Sequence, residues 1–138
     1  MEEIIAPISK EILKSELTDD KRLRFTNKSN NEIYIVTYQD SPNVLKEIGR
    51  LREIAFRAAG GGTGKSIDLD EFDTEEGSYK QLIVWNPDAE EIIGGYRYLL
   101  GTEATNRRGY GVHFEGICRG CCFAERRWSG YEQLCLLR

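Results

Sequence analysis

The chain has 138 residues, of which 30% are charged, 40% hydrophobic and 10% aromatic, with a net charge of −4. That is the composition of one soluble globular domain able to bury roughly two-thirds of the surface its unfolded form exposes, which excludes disordered, fibrous and disulfide-stapled classes. Apolar runs such as 82–85 fall far short of the roughly 20 residues needed to cross a bilayer, and Met1-Glu2-Glu3-Ile4 does not open a secretory signal, so the expected compartment is the cytoplasm; the acidic balance gives no global attraction to nucleic acid.

Ile5, Ile8, Ile12, Leu13 and Leu17 recur near helical spacing, and Pro7 is tolerated in a first turn, so the spacing predicts a helix over 6–18. The runs 23–27 and 32–38 are rich in β-branched and aromatic residues and are separated by Lys28-Ser29-Asn30-Asn31, which predicts a hairpin. Ser41-Pro42 then reads as a helix start, and Val44, Leu45, Ile48, Leu51 and Ala55 trace one helical face ending near Ala58. Glycines 60–64 break that helix, and a loop is expected as far as Ser78. A second hairpin, 80–85 and 91–100, turns at Asn86-Pro87-Asp88. The class is therefore α+β or α/β.

The vocabulary changes after residue 104. Residues 1–104 hold 13 basic and 20 acidic residues with no cysteine or histidine, whereas residues 105–138 hold six arginines, three glutamates, all four cysteines and the only histidine. We read 1–104 as one domain and 105–138 as an atypical Cys/Arg-rich tail of different origin, an off-frame or rearranged end.

Gly60-Gly61-Gly62-Thr63-Gly64-Lys65-Ser66 looks like a phosphate-binding loop, but Ala59 stands where a Walker loop needs glycine, and a helix rather than a strand precedes it. A flexible glycine hinge is the plainer reading. Asp68, Asp70 and Asp73 suggest a calcium loop, yet Phe72 and Asp73 occupy the positions that need an oxygen ligand and a glycine. No metal is expected there. The apolar Ile67, Leu69 and Phe72 interleaved with these carboxylates would anchor the segment and hold the acids still, which requires cationic partners; Arg52, Arg57 and Arg97 are available. Arg97 lies in an apolar strand after Gly94-Gly95, a pair that marks a bulge or a close approach. A buried arginine stripped of its carboxylate costs roughly 3–5 kcal/mol, so an aspartate is expected beside it.

The combination Arg52-x3-Phe56, a glycine-rich link, Asp68-x-Asp70-x2-Asp73 and Ile93-Gly94-Gly95-Tyr96-Arg97 resembles the N-acyltransferases related to acyl-homoserine-lactone synthases. More closely, Ile48 to Arg57 together with Gly62 to Asp73 is similar to bacterial proteins labelled hemolysins, whose characterised relatives make acyl-glycine and acyl-ornithine precursors of aminolipids. The resemblance covers residues 1–104 and implies the N-terminal portion of a GNAT-like acyltransferase fold, a mostly antiparallel mixed sheet with flanking helices. It further implies transfer of a fatty acyl group from an acyl carrier protein thioester, the co-substrate, to the amine of glycine or ornithine, with no other cofactor. Asp70 and Asp73 are the implied catalytic carboxylates and Arg97 assists them; Arg52, Phe56 and Asp68 shape the substrate cleft. The basic stretch Lys21, Arg22, Arg24 and Lys28 would face an acidic carrier protein. No membrane span is expected, and peripheral membrane association stays open.

The resemblance stops near Gly101-Thr102-Glu103-Ala104, so a truncated, inactive member of the family is one expectation. Asn106-Arg107-Arg108-Gly109-Tyr110-Gly111 superficially resembles a pyrophosphate loop, but its leading residue is wrong and no room is left for a preceding strand. Cys118, Cys121, Cys122, Cys135 and His113 would supply zinc ligands in a competing reading, a non-catalytic interaction fragment with a metal-binding tail. In the leading reading those thiols are incidental. Nothing in the residues could form a pore.

Overall fold

A computed structural model describes residues 1–77, 79–99 and 120–122, the last three in backbone only. The architecture is α+β: five antiparallel strands in the order β1 (Arg22–Phe25), β2 (Glu32–Val36), β3 (Lys80–Asn86), β4 (Glu91–Tyr98) and β5 (Gly120–Cys122). Two helices, α1 (Lys10–Glu16) and α2 (Pro42–Ala58), contact each other and share the hydrophobic core with the sheet. Leu13 and Leu17 meet Val44, Leu45 and Ile48 over Tyr34, Val36, Ile83, Trp85 and Ile92. Burying such side chains contributes about 1.5–3 kcal/mol each, which is what holds the helices on the sheet.

The helix expected over 6–18 is only Lys10–Glu16. Its shortening has a physical cause: the backbone before it is committed elsewhere. Glu2 and Ile5 donate their N–H groups to the carbonyls of Gly64 and Ser66, at 2.8 and 3.1 Å, so the opening segment runs along the glycine loop. Ser9 then caps the helix through its hydroxyl, which accepts from Ile12 N–H. Both hairpins form as the sequence predicts, and the turn of the first places Ser29 and Asn30 at positive φ. In the second, Asn86 Oδ1 accepts from the N–H groups of Asp88 and Ala89, the local bond that makes asparagine a turn former. The expected irregularity at Gly94-Gly95 is present too. Register shifts between Val84 and Trp85, so that Ile93 of β4 is the extra residue.

α2 occupies the predicted range, but Ser41 does not cap it with its side chain. The exposed N–H groups are met instead by Glu16 of α1, whose carboxylate accepts from Asn43 N–H at 3.2 Å, Val44 N–H at 2.9 Å and the Asn43 side-chain amide at 2.7 Å. A carboxylate suits this position because the first turn of a helix carries unpaired donors and the positive end of the macrodipole. Ser41 is used otherwise: it is fully buried and its hydroxyl accepts from Lys21 Nζ. Lys21 also donates to the carbonyls of Glu16 and Asp40, tying the end of α1 to the start of α2. The Glu16→Ala variant is expected to lose about 1–2 kcal/mol of stability, the usual cost of a lost helix cap, measured by urea unfolding.

Candidate functional site

The apolar core ends along β3 where Trp85 and Ile83 give way, on the same buried parity, to Gln81. Gln81 lies opposite Arg97 of β4 in the antiparallel register, so the two side chains share the helix-facing side of the sheet. Arg52 of α2 is also buried, and the acidic segment supplies the counter-charges. That segment lies flat on α2 because residue 49 is glycine: a Cβ there would come within 2.7 Å of Leu69 Cγ and 2.8 Å of Ile67 Cγ1. Asp68 N–H accordingly donates to the Gly49 carbonyl at 3.1 Å.

Within the expected loop is a short helix, α3 (Glu71–Thr74), that the sequence reading did not anticipate. The spacing Asp70-x2-Asp73 is its capping box: Asp70 Oδ1 accepts from Asp73 N–H at 3.1 Å, and Asp73 Oδ2 accepts from Asp70 N–H at 3.3 Å. An acid, two intervening residues and a second acid are thus a helix start here, the aspartate counterpart of the Ser/Thr-x-x-Glu signal. The cap fixes the two carboxylates relative to each other before any cation arrives.

Four charged side chains and Gln81 then close around Asp73. Arg52 Nη1 reaches Asp73 Oδ2 at 3.0 Å and Arg52 Nε reaches Asp68 Oδ2 at 3.2 Å. Arg97 Nη1 donates to both oxygens of Asp70 at 2.9 Å and to Asp73 Oδ2 at 3.3 Å. Gln81 Nε2 completes Asp73 by donating to Oδ1 at 2.7 Å. Arg97 is also stacked among aromatic rings, its guanidinium carbon 5.3 Å from the Tyr79 ring centre and 6.0 Å from that of Phe72. Among these groups Asp73 is fully buried, whereas the Asp70 side chain is 40% exposed.

Among the described residues three carboxylates, Asp68, Asp70 and Asp73, face two guanidinium groups, and Asp70, paired with Arg97, is the carboxylate most open to solvent. Burial pushes the Asp70 carboxyl up, but the Arg97 hydrogen bonds and positive charge outweigh it and hold the group below the usual carboxylate range. Burial likewise works against the charged form of Arg97, while Asp70 and Asp73 more than offset it and raise its pKa.

The other expected cation, Arg57, does not join the acidic segment. Its Nε donates to Glu53 at 2.7 Å, one turn away on the same helix, and its Nη2 donates to the Lys65 carbonyl. Glu53, fully buried, is the hub of the glycine loop: it accepts from Thr63 N–H at 3.0 Å, Thr63 Oγ1 at 2.7 Å and Gly64 N–H at 2.9 Å. The loop that looked like a phosphate cradle does wrap an anion, and the anion is the chain's own carboxylate. Gly62 is required by the fit, since a Cβ there would lie 2.5 Å from Arg57 Cγ. Burial pushes the Glu53 carboxyl up, but donors from Arg57, Thr63 and Gly64 bring it down to about 2. Phe56 is half-buried one turn beyond Arg52, with its carbonyl accepting from Gly61 N–H; it is not a member of the ion-pair cluster.

Sequence reasoning missed Gln81, Gly49 and Glu53. Gln81 had a visible signal, a polar residue on the buried parity of an apolar strand; the other two are defined by partners remote in sequence. No group of histidine, cysteine and carboxylate side chains suited to a metal occurs among the described residues. The side chains His113, Cys118, Cys121, Cys122 and Cys135, which the competing reading offers to zinc, and the loop 106–111 fall outside the described side chains. No helix among the described residues is long and apolar enough to cross a membrane.

A helix-backed antiparallel sheet with a charged cluster at one end of its core is the setting in which the comparisons with known proteins fall. Residues 51–126 match the acetyltransferase (GNAT) domain family, more than half of the chain, and the protein belongs to that family. The match includes Arg52, Asp68, Asp70, Asp73, Gln81 and Arg97, and it crosses the compositional boundary after residue 104. The chain is 82% identical over 103 residues to the glycine N(alpha)-acyltransferase of Phocaeicola vulgatus and 77% identical over 103 residues to that of Bacteroides thetaiotaomicron. Those stretches are 75% of this chain and 32% and 31% of the two relatives, so the chain spans about a third of their length. No solved structure matches it.

Two sets of variants test the cluster and the loop. Asp73→Ala leaves two buried guanidinium groups short of a partner and is expected to cost about 3–5 kcal/mol, whereas Asp70→Asn, at a half-exposed position, is expected to cost well under half of that; urea unfolding compares them. Glu53 has a lowered folded-state pKa, so its contribution is complete above the ordinary value of 4.5 and is lost as pH falls toward about 2. Glu53→Gln is therefore expected to be less stable than the parent at neutral pH and to lose less stability across that acid window, read from melting temperature against pH.

Proposed function

We propose that this chain is the amine-accepting part of an N-acyltransferase that makes an acylated amino acid, with glycine as acceptor. The observation that carries the reading is Asp70, a carboxylate held by Arg97 and 40% exposed at the edge of an otherwise buried charge cluster. An amino acid acceptor arrives as an ammonium ion at neutral pH, and a fixed anion binds and orients it. The names of the two relatives support glycine as that acceptor; ornithine remains the acceptor implied by resemblance alone.

In the reaction the amine nitrogen, after losing one proton, attacks the thioester carbonyl carbon. A C–N bond forms, the C–S bond breaks, the amine's second proton is released and the thiol departs protonated. On this reading Asp70 meets the amine. Because its pKa is depressed it is a weak base, better suited to holding the ammonium group and a water that relays its proton than to removing that proton outright. Asp73, Arg97 and Arg52 are buried and committed to one another, so we assign them as positioning residues for Asp70 and Asp68. Phe56 and Asp68 line the acceptor side. The donor is an acyl carrier protein thioester, and the setting is the cytoplasm.

The second reading is a non-catalytic interaction fragment with a metal-binding tail beyond residue 104, and the observation favouring it is that all four cysteines and the only histidine of the chain fall in that stretch. Incubating the folded chain with a long-chain acyl carrier protein and glycine, with mass spectrometry for acylglycine and a thiol assay, separates the two. Product that falls at least about tenfold in Asp70→Asn, a loss of roughly 1.4 kcal/mol in transition-state stabilisation, is the expected outcome. Folded protein that gives no product, together with stoichiometric zinc, supports the second reading.

A further inference from the structure

The hairpin β1–β2 ends in a surface that the charge cluster does not use and that the resemblance would turn toward an acidic carrier protein. Residues 21–31 contain four cationic side chains and no acidic one, in a chain whose net charge is −4. The structure sorts these cations. Lys21 is spent on the carbonyls of Glu16 and Asp40, and Arg22 is paired with Asp19 at 2.9 Å and Glu32 at 3.4 Å. Arg24 and Lys28 have no carboxylate within ion-pair distance among the described residues. Arg24 is instead braced by Asn27 Oδ1 at 2.6 Å and the Phe25 carbonyl at 3.1 Å, which holds its charge at the tip.

Beside these two free cations stand two large apolar side chains that the fold leaves uncovered, Leu23 at 56% and Phe25 at 54% exposure. Leu23, Arg24 and Phe25 are all exposed, so neither face of this end of the edge strand is packed by the described chain. The tip is also rigid. Thr26 N–H donates to the Asn31 carbonyl at 2.8 Å, and Arg22 sits over the Phe25 ring at 4.9 Å. A preformed protrusion loses little freedom on docking.

The geometry points to this hairpin tip as a docking surface for an anionic lipid bilayer, with Leu23 and Phe25 entering the interfacial region while Arg24 and Lys28 meet the headgroups. The charge arrangement supports this partner: two exposed apolar side chains beside two cations without carboxylate partners among the described residues fit a surface with an apolar layer just beneath a negative one. The inference stands independently of the acyl-transfer reading.

Flotation of the full chain with vesicles of phosphatidylglycerol and phosphatidylcholine, against phosphatidylcholine alone, tests it. The expected result is binding to the anionic vesicles that weakens with added salt, is abolished in Arg24→Glu/Lys28→Glu, and falls about tenfold in Leu23→Ser/Phe25→Ser. Phe25→Trp supplies a readout that does not rely on removing side chains, with a blue shift of its emission expected on anionic vesicles. Equal partitioning onto neutral and anionic vesicles, or no blue shift, would overturn the proposal. So would binding to soluble polyglutamate that matches the vesicles in its dependence on Arg24 and Lys28 and is unchanged in Leu23→Ser/Phe25→Ser, since that pattern belongs to an acidic protein partner.

Discussion

A carboxylate with no solvent exposure, bridging two arginines from different elements, is the constraint on which the charged end of this fold depends. Taking Asp73, Arg52 and Arg97 out of water carries a desolvation penalty that their attraction offsets only when nearly every donor and acceptor is matched. Here the matching is close: Asp73 accepts from Arg52, Arg97, Gln81 and the Asp70 backbone. One buried atom of the cluster, Arg97 Nε, has no hydrogen-bond partner among the described residues, and the guanidinium it belongs to lies against the Tyr79 ring. Because each donor comes from a different segment, the arrangement fixes helix α2, the acidic turn and strands β3 and β4 in one mutual position.

The inner face of α2 is accordingly divided. Its first half carries Val44, Leu45 and Ile48 into the apolar core, and its second half carries Arg52 and Glu53, both buried and both paired with loops that follow the helix. The apolar half is non-directional and holds the helix down; the charged half is directional and sets where the loops go. Glu53 gathers the glycine loop, and Arg52 gathers the acidic turn. The opening segment of the chain then closes over the glycine loop through Glu2 and Ile5, and a further bond runs from Ser66 N–H to the Glu2 carboxylate at 2.7 Å. Loops without secondary structure of their own are thereby given fixed partners, which a functional loop needs if its side chains are to hold a geometry.

What the sequence made legible follows the range of the interactions involved. The helix over 42–58 and both hairpins rest on local periodicity and turn residues, and they appear where those signals place them. The first helix was over-extended because the backbone of residues 2–5 bonds to residues 64–66, information absent from its own neighbourhood. Arg52 and Arg97 were anticipated as partners of the aspartates because buried charges need counter-charges. Arg57 was wrongly grouped with them, since Glu53 four residues earlier on the same helix is a nearer acid. The aspartate spacing was weighed as a calcium loop when its simpler meaning was a helix cap, and the glycines were weighed as a phosphate loop whose anion proved to be internal.

On the acyl-transfer reading, the depressed pKa of Asp70 has a consequence for how the site works. A general base gains from a pKa near the working pH, and Asp70 is driven the other way by Arg97. The same guanidinium that weakens Asp70 as a base keeps it anionic and locks both of its oxygens in place, which favours electrostatic capture of an ammonium group. Binding and deprotonation are then separate events: the first belongs to the carboxylate, the second to water once the amine is held against the thioester. On the same reading, the exposure of Asp70 is what would give a structural ion-pair network a point of contact for an amine.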